Sequence, residues 1–460
     1  MSSMVLQQLY TKCLAQGAYF IASNGAAAVI DPLRELDPYL DLAKENNCTI
    51  KYIFLTHFHA DFVSGQTDLA TATGATVVLG PNAQASYDYH SATDGEVFTV
   101  GALSLEVLHT PGHTLESSCY LLRNPEGKAE ALFTGDTLFI GDVGRPDLAA
   151  KSSMSTQDLA GLLYDSLHNR IMPLPDDVII YPAHGAGSAC GKNMSSETSD
   201  TLGNQKRFNY ALNTDLSKED FIKELTTGLA APPAYFPENV AMNKQVNTPF
   251  DAIIKRGVNP LSIHDFESLA AQDDVLVLDT RSVTAFAEAS VPNAWFVGLD
   301  GQFAPWIGAL VTDIQQKIIF IAEKGREEEV VMRLSRVGYD NSLGYLDGGI
   351  ETWIAAGKDT VNTPEVDAAT FVTGVRQGII HNPLDVRKET EYANGHLEDI
   401  TNLPLDCIHK NIAQLDASKT YHIHCAGGYR SLIYASIVRA NGITQVVNVL
   451  GGYNAMRPVM

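Results

Sequence analysis

The chain has 460 residues, of which 45% are hydrophobic and 19% charged, and its formal net charge is −22 at pH 7. This length is too great for one hydrophobic core and predicts about three domains. The acidic charge argues against nucleic acid or an anionic membrane surface as a partner. No apolar run approaches the ~18 residues of a spanning helix, and the first residues lack the features of a signal peptide. We therefore expect a cytoplasmic protein. A homo-oligomer is compatible with the sequence.

Four segments in the first 250 residues place a metal-binding side chain just after a strand-like apolar run. These side chains are His57, His113, Asp136 and His184. Strand ends that deliver ligands through tight turns can converge on one rim of a sheet. Gly112 and Gly135 stand immediately before two of the ligands, where the backbone must turn sharply. The pattern predicts one shared metal site.

The segment THFHADF contains His57, His59 and Asp61 and ends at Phe62. A two-metal hydrolase with this motif would need a histidine where Phe62 stands. A phenyl ring has no lone pair to donate to a cation, so the second metal position keeps at most Asp61 and His184. A single-metal site is the interpretation that follows.

The motifs HxHxD, PGH, TGD and AHG, in this order, resemble those of the metallo-β-lactamase superfamily over roughly residues 4–250. The resemblance implies a four-layer αββα sandwich, and we assign it residues 1–255. In the branch of this superfamily that uses one iron, the corresponding ligands are His57, His113 and Asp136, which implies one Fe(II) per chain.

Two imidazoles and one carboxylate form the facial triad of non-haem Fe(II) oxygenases and leave coordination positions open. Zinc accepts the same ligands, so the identity of the metal rests on the resemblance. His59, Asp61 and His184 then become candidates for hydrogen bonds that orient the ligands or water. For His59 a purely structural role is an equal alternative.

The segment IGDVGRPDL resembles the GRxD segment of persulfide dioxygenases. The resemblance implies that Arg145 anchors an anionic thiol substrate and that Asp147 holds this arginine; a structural ion pair is the alternative. Members that use glutathione persulfide carry Asp-Tyr where Gly185 and Ala186 stand here, and AHGAGSACGKN looks instead like the bacterial dioxygenase–rhodanese fusions. The thiol carrier therefore stays open. We hypothesise that Cys190 accepts sulfur, against the alternative of a plain buried thiol.

Residues 260–360 and 364–460 repeat each other. VLVLDTR and NPLDVR begin the two copies, and LDGGIETW and LGGYNAM lie near their ends. Apolar runs alternate with helical patterns in both copies, which predicts two small parallel α/β sheets.

In the last copy, Cys425 opens a CxxGxR loop that Arg430 closes, and a helix is predicted to begin at Ser431. Gly427 and Gly428 let backbone N–H groups point toward the sulfur and form an anion nest. The helix N-terminus and Arg430 favour thiolate over thiol, so we expect a reactive, accessible sulfur. In the middle copy the equivalent position falls near Ala322, so that copy has no thiol for sulfur transfer. We interpret it as a packing or docking module.

The DxR, CxxGxR and GG motifs resemble those of the rhodanese family, which are sulfurtransferases. The whole chain resembles the bacterial persulfide dioxygenase–rhodanese fusions, a class associated with sulfide detoxification. The resemblance implies that a low-molecular-weight thiol persulfide and O2 give sulfite and thiol at the iron. It also implies that Cys425 carries a sulfane sulfur, with thiosulfate formed or consumed.

Two other functions stay open at this point. One is a thioester or lactone hydrolase of glyoxalase II type that uses a single zinc ion. The other is a sulfur carrier or sensor in which the metal-binding fold is vestigial.

Overall fold

The computed structural model of the protein describes residues 4–150, 154–229 and 231–460. Contacts between residues divide the chain into two compact units. One comprises Met1–Phe250 with Ser335–Gly338, and the other comprises Asp251–Leu334 with Tyr339–Met460.

Two six-stranded sheets form the first unit. The first sheet contains, in spatial order, β1 (Val5–Thr11), β2 (Gln16–Ser23), β3 (Ala26–Ile30), β4 (Thr49–Leu55), β5 (Thr76–Leu79) and β6 (His90–Ser91). The second contains β7 (Val97–Val100), β8 (Leu103–His109), β9 (Ser118–Arg123), β10 (Ala129–Gly135), β11 (Ile179–Pro182) and β12 (Asp200–Thr201), also in spatial order. The helices of this unit are α1 (Asp37–Glu45), α2 (Gln66–Thr73), α3 (Thr156–Ser166), α4 (Leu202–Phe208), α5 (Lys218–Thr226) and α6 (Phe236–Asn243). Helix α7 (Phe250–Gly257) follows and, from Asp251 onward, belongs to the second unit.

Strand β2 shows why the unit has four layers, because every one of its residues is buried. Alternate side chains of a strand point to opposite faces of the sheet. Tyr19 and Ile21 pack between the two sheets, whereas Phe20 packs on the opposite face in a cluster with residues of α1 and α2. Strand β10 behaves in the same way. Phe133 lies between the sheets, and Leu132 joins a cluster that includes residues of α3 and α5. The predicted αββα sandwich is confirmed.

The second unit contains two five-stranded parallel sheets. The elements of the first repeat are β13 (Pro260–Leu261), α8 (Ile263–Ala270), β14 (Val275–Asp279), α9 (Val283–Glu288), β15 (Trp295–Phe296), α10 (Phe303–Leu310), β16 (Lys317–Ile321), α11 (Glu327–Arg336), β17 (Ser342–Leu346) and α12 (Gly349–Ala355). Those of the second are β18 (Glu365–Val366), α13 (Ala368–Arg376), β19 (Pro383–Asp385), α14 (Glu389–Ala393), β20 (Thr401–Asn402), α15 (Ile408–Asn411), β21 (Tyr421–His424), α16 (Tyr429–Ala440), β22 (Val446–Val449) and α17 (Gly452–Met456).

The two repeats have the same topology. Their strand orders are β13-β17-β16-β14-β15 and β18-β22-β21-β19-β20, and every pairing is parallel. Asp279 pairs with Ile321 in one sheet, and Asp385 pairs with His424 in the other. Ala322 therefore occupies the position of Cys425, as predicted.

Helix α16 begins at Tyr429, two residues before the predicted start at Ser431.

The domain boundaries predicted at residues 255–260 and 360–364 stay predictions. Among the residues that the structure describes, no helix has the length and apolar character needed to cross a membrane. Short 3-10 helices complete the chain at Pro146–Ala149, Tyr210–Leu212, Leu405–Cys407, Ile412–Gln414 and Arg457–Val459, and a π-helical turn at Leu167–Ile171 follows α3.

Candidate active sites

The predicted metal ligands of the first unit converge just beyond the ends of β4, β8 and β10. His57 Nε2 lies 3.7 Å and His113 Nε2 lies 3.5 Å from Asp136 Oδ2. The three ligand atoms lie within 4.8 Å of one another, and all three residues are buried. The structure thus brings together side chains that are far apart in the sequence.

Hydrogen bonds determine which nitrogen of each imidazole faces the site. His113 Nδ1 lies 2.9 Å from the carbonyl oxygen of Arg145, which can only accept, so Nδ1 carries the proton. Thr56 Oγ1 donates to Asp31 Oδ2 at 2.8 Å and therefore accepts from His57 Nδ1 at 3.0 Å. Each imidazole is left with the lone pair of Nε2 directed toward Asp136.

The charges of these groups also suit a cation. Burial, together with the neighbouring His59, lowers the pKa of His57 well below its ordinary value, which keeps its ring neutral. Burial by itself opposes ionisation of Asp136, but His184 and His57 hold the pKa of this carboxyl well below its usual range. The buried Asp136 Oδ2 has no hydrogen-bond partner among the described residues. Two lone pairs and a carboxylate oxygen with no proton between them fit a single metal ion.

His184 lies behind these ligands and holds Asp136 in place. Its Nδ1 is 2.7 Å from Asp136 Oδ1, and its Nε2 is 3.0 Å from Asp61 Oδ2. Burial opposes protonation, but the two carboxylates raise the pKa of His184 well above its ordinary value. The resulting imidazolium donates a hydrogen bond to Asp136 Oδ1 and leaves Oδ2 free to bind a metal. A hydrogen bond of this kind, from a residue behind the ligands, orients a metal-binding carboxylate.

One expectation about the second metal position was wrong. The sequence allowed at most Asp61 and His184 there, but one ligand atom of His59 also lies within 4.8 Å of theirs. The reason is that β4 ends in a turn that returns His59 toward the core, where its Nε2 lies 3.1 Å from Asp31 Oδ1. The fully buried ring of Phe62 packs on His59, with centroids 4.3 Å apart, and faces His184 at 6.2 Å.

The sequence did not reveal two residues that support the loop 56–64. Asp31 accepts hydrogen bonds from the backbone N–H and the hydroxyl of Thr56, both at 2.8 Å. The side-chain amide of Asn243, at the end of α6, donates to the carbonyl oxygens of His59 and Phe62 at 2.8 Å. Asp31 directly follows the apolar run of β3, as the predicted ligands follow their strands, so its position in the sequence could have identified it as a site residue. Asn243 has no such signal, because it lies about 180 residues away.

The glycines before two ligands have the predicted role. Gly135 has a φ of +53°, and a Cβ there would lie 2.6 Å from Cβ of Thr56. Gly112 has a φ of +150°, and a Cβ there would lie 2.4 Å from Cα of Leu163. A side chain at either position would disturb the ligand that follows it.

Arg145 and Asp147 form the predicted ion pair, with Nε to Oδ1 at 2.8 Å and Nη2 to Oδ2 at 2.6 Å. The pair is largely buried, since the Arg145 side chain is 6% and that of Asp147 20% exposed. Arg145 also orients His113 through its carbonyl oxygen. That Arg145 binds substrate stays a prediction.

Cys190 lies beside the metal site, with Sγ within 4.8 Å of ligand atoms of Asp136 and His184. Burial, followed by the charges of Asp61 and Asp136, raises the pKa of this thiol to about 12. The neutral thiol is a weaker nucleophile than a thiolate. Sulfur transfer to Cys190 stays a prediction.

The hydroxyl of Tyr10, on β1, lies beside Gly185. A Cβ on Gly185 would lie 2.7 Å from the hydroxyl of Tyr10, so the absence of a side chain at Gly185 makes room for this phenol. Burial raises the pKa of Tyr10, and the neighbouring His184 opposes that shift. Tyr10 could not be found from the sequence, because nothing local connects it with residue 185.

In the last repeat, Cys425 lies in a loop that wraps around its sulfur. The N–H of Gly428 donates to Sγ at 3.1 Å, and Ser431 Oγ lies 3.6 Å from it. Gly428 has a φ of +101°, which permits this tight loop. A Cβ on Gly427 would meet no atom within 4 Å, so the loop is open on that side. The expectation of an accessible sulfur was wrong, because the loop leaves Cys425 only 1% exposed.

Arg430 has a partner that the sequence did not reveal. Its Nη1 and Nη2 donate to the two carboxylate oxygens of Glu391, at 2.6 and 2.8 Å. Nearby, the guanidinium of Arg387 stacks over the Tyr453 ring at 3.9 Å, and the N–H of Tyr453 donates to the Cys425 carbonyl at 2.7 Å. The DxR segment and the final helix thus both support the loop.

The equivalent loop of the middle repeat contains its own anion. The N–H of Gly325, at the position of Gly428, donates to both carboxylate oxygens of Glu327, at 2.9 and 3.2 Å. Glu327 stands where Arg430 stands in the last repeat. At the positions of Cys425 and Arg430 this loop has Ala322 and Glu327, and the Glu327 carboxylate accepts from the N–H of Gly325.

Comparison with known proteins agrees with this architecture. Residues 12–184 match the model of the metallo-β-lactamase superfamily, and residues 262–356 and 373–457 match that of the rhodanese-like domain. A crystal structure of a metallo-β-lactamase from Staphylococcus aureus is 30% identical with a TM-score of 0.64, and the match covers 75% of this chain and 98% of that one.

Two curated relatives match the first part of the chain. The human mitochondrial persulfide dioxygenase ETHE1 is 31% identical over 48% of this chain and 80% of its own length. A probable hydroxyacylglutathione hydrolase, glo2, from Schizosaccharomyces pombe is 29% identical over 40% of this chain and 75% of its own length. The chain belongs to the metallo-β-lactamase superfamily, with a first part homologous to ETHE1, and is a fusion of this fold with rhodanese-like domains.

Proposed function

We propose that the protein oxidises a low-molecular-weight thiol persulfide with O2 at one Fe(II) ion, and that Cys425 transfers sulfane sulfur. The observation that carries the first activity is the convergence of His57 Nε2, His113 Nε2 and Asp136 Oδ2, with both Nδ1 atoms engaged elsewhere. Similarity to ETHE1, a persulfide dioxygenase, supports it.

The residues of this site act by positioning. Arg145 and Thr56 keep the Nε2 lone pairs of the two histidines on one side, and His184 keeps Asp136 Oδ2 on the same side. Two imidazoles and a carboxylate leave room for a sulfur ligand and O2, and iron bound there supplies the redox chemistry. The overall reaction consumes persulfide, O2 and water and yields thiol, sulfite and two protons.

The proposed sulfur transfer uses Cys425 and the loop that surrounds its sulfur. The Cys425 thiolate attacks the outer sulfur of thiosulfate, an S–S bond forms as the S–S bond of thiosulfate breaks, and sulfite leaves with the electron pair. The reverse reaction with sulfite releases thiosulfate. The N–H of Gly428, which lies 3.1 Å from Sγ, would stabilise the negative charge on the terminal sulfur of the Cys425 persulfide.

The test uses two variants of the full chain. We expect His113→Ala to abolish persulfide-dependent O2 uptake, because one metal ligand is lost, and to leave thiosulfate sulfurtransferase activity unchanged. Cys425→Ser should do the opposite. Oxygen-electrode and thiocyanate-release assays measure the two activities, and loss of both in either folded variant would contradict independent sites.

The alternative is a thioester or lactone hydrolase with a single zinc ion, which His57, His113 and Asp136 would hold; the similarity to glo2 supports it. Metal analysis separates the two functions. Stoichiometric iron with O2 consumption supports the dioxygenase, whereas bound zinc with anaerobic turnover of a thioester or lactone supports the hydrolase.

A further inference from the structure

His424 is a fully buried histidine that directly precedes Cys425. It ends β21, and its partner in the sheet is Asp385. In the middle repeat, Ile321 occupies this position opposite Asp279. The repeats therefore differ at the residue before the catalytic position as well as at the position itself.

The surroundings of the two positions are otherwise alike. Arg281 Nη2 donates to Asp279 Oδ2 at 2.6 Å, and Arg387 Nη2 donates to Asp385 Oδ2 at the same distance. The arginine Nε atom lies within 3.2 Å of both carboxylate oxygens in the middle repeat and within 3.0 Å in the last. The Asp–Arg pair alone thus does not account for a histidine at position 424.

The two ring nitrogens of His424 have different environments. Nδ1 lies 3.1 Å from the Cys425 carbonyl oxygen, which only accepts, so Nδ1 carries the proton. Nε2 is buried and has no hydrogen-bond partner among the described residues; it lies 3.7 Å from Asp385 Oδ2. Burial lowers the pKa of His424, in agreement with a neutral ring.

A buried nitrogen without a partner is destabilising, and an isoleucine would remove it. What His424 adds is a hydrogen bond to the carbonyl of Cys425, which also accepts from Tyr453 N–H at 2.7 Å. These two donors fix the direction of the carbonyl, while the N–H of Gly428 donates to Sγ at 3.1 Å.

We propose that His424 is a positioning residue for sulfur transfer, which holds the Cys425 carbonyl together with the N–H of Tyr453 so that the N–H of Gly428 stays directed at the sulfur. This inference rests on the sulfur transfer proposed for Cys425. The hydrogen bond matters most when Cys425 carries the terminal sulfur anion, because a carbonyl turned inward would repel that charge.

Three variants of the full chain test the proposal. His424→Ile places the middle-repeat residue at this position, His424→Asn keeps a donor where Nδ1 was, and His424→Gln keeps a polar group only at the site of Nε2. We expect His424→Ile and His424→Gln to lower kcat/KM for thiosulfate-to-cyanide sulfur transfer about tenfold, the effect of one lost hydrogen bond. His424→Asn should stay close to the wild-type value.

Stability provides the second measurement. His424→Ile should keep or increase the free energy of unfolding in urea while it loses activity, which a merely structural residue would not show. Wild-type activity in His424→Ile, or equal losses in the Asn and Gln variants, would overturn the proposal. If His424→Ile does not fold, the difference in kcat/KM between His424→Asn and His424→Gln still tests the proposal. A wild-type protein without sulfurtransferase activity would instead refute the function proposed for Cys425.

Discussion

Phe62 lies beside a second cluster of candidate metal ligands in the first unit. Its ring stands in van der Waals range of His59 and is fully buried. A histidine there would add a lone pair to His59, Asp61 and His184, whose ligand atoms already lie within 4.8 Å of one another. We therefore expect Phe62 to be the reason that this cluster holds no second metal ion.

We predict that Phe62→His raises the zinc content of protein loaded with zinc from about one to about two ions per chain, because three or four donors then surround the second position. Phe62→Leu is the matched control, since it removes the ring without adding a lone pair. Elemental analysis measures the ratio. Two zinc ions in the wild-type protein would contradict the role given to Phe62.

At the scale of elements, the metal-binding loop 56–64 depends on α6. Asn243 uses both ends of its side-chain amide there. It donates to His59 and Phe62 and accepts from the N–H of Ser64 at 2.8 Å and from its hydroxyl at 3.0 Å. The loop lies away from regular pairing, so these bonds replace those that a sheet would provide.

We predict that Asn243→Ala lowers the free energy of unfolding by about 2 kcal/mol, because several buried backbone groups lose their partners. It should also weaken iron retention on dialysis. Asn239→Ala is the control: Asn239 lies on the same helix and is equally buried, but neither of its side-chain polar atoms has a hydrogen-bond partner among the described residues. Urea unfolding measures both variants, and equal losses would contradict the prediction.

The silent loop of the middle repeat lacks more than a cysteine. Glu327 replaces the arginine of the active loop and binds the N–H of Gly325. A sulfur placed at position 322 would meet a negative charge where Cys425 has a cation nearby. We therefore expect the Glu327 carboxylate to compete with an anionic substrate for the N–H of Gly325.

We predict that the double variant Ala322→Cys with Cys425→Ser has no thiosulfate sulfurtransferase activity above that of Cys425→Ser alone. Further substitution of Glu327→Gln should allow measurable sulfane sulfur on the thiol introduced at position 322, because the competing carboxylate is removed. Cyanolysis of the isolated protein detects that sulfur. Full activity in the double variant would show that the thiol was the only missing part.

At the scale of the molecule, the fusion places a metallo-β-lactamase fold and rhodanese-like domains on one chain. The first unit is proposed to produce sulfite, and Cys425 is proposed to add sulfane sulfur to it. A covalent connection raises the effective concentration of one site near the other. Thiosulfate should therefore form without delay when persulfide is the substrate.

We predict that an equimolar mixture of His113→Ala and Cys425→Ser chains forms thiosulfate with a lag that shortens as protein concentration rises. The wild-type protein should show neither the lag nor the concentration dependence. Time courses of sulfite and thiosulfate, with O2 uptake matched between samples, measure the difference. Identical time courses would contradict any benefit of the connection.

The sequence by itself determined the duplicated sheets, and it predicted the candidate metal ligands that the structure brings together and the cysteine proposed as nucleophile. Short sequence motifs encode these features. A ligand that follows a strand, a glycine that precedes the ligand and a cysteine that precedes a helix are each recognised from neighbouring residues. Nearly equal spacings between the motifs of the two repeats were enough to place Ala322 at the position that Cys425 occupies in the last repeat.

Only the tertiary structure decided which side chains hold those motifs in place. Asn243, Glu391 and Tyr10 reach their partners across distances in the chain that no local pattern encodes, and the burial of Cys425 follows from the path of its loop. The proximity of His59 to Asp61 and His184 was missed for the same reason. Residue types and spacing specify what chemistry is available, whereas packing and hydrogen bonds between distant segments decide the geometry in which it is presented.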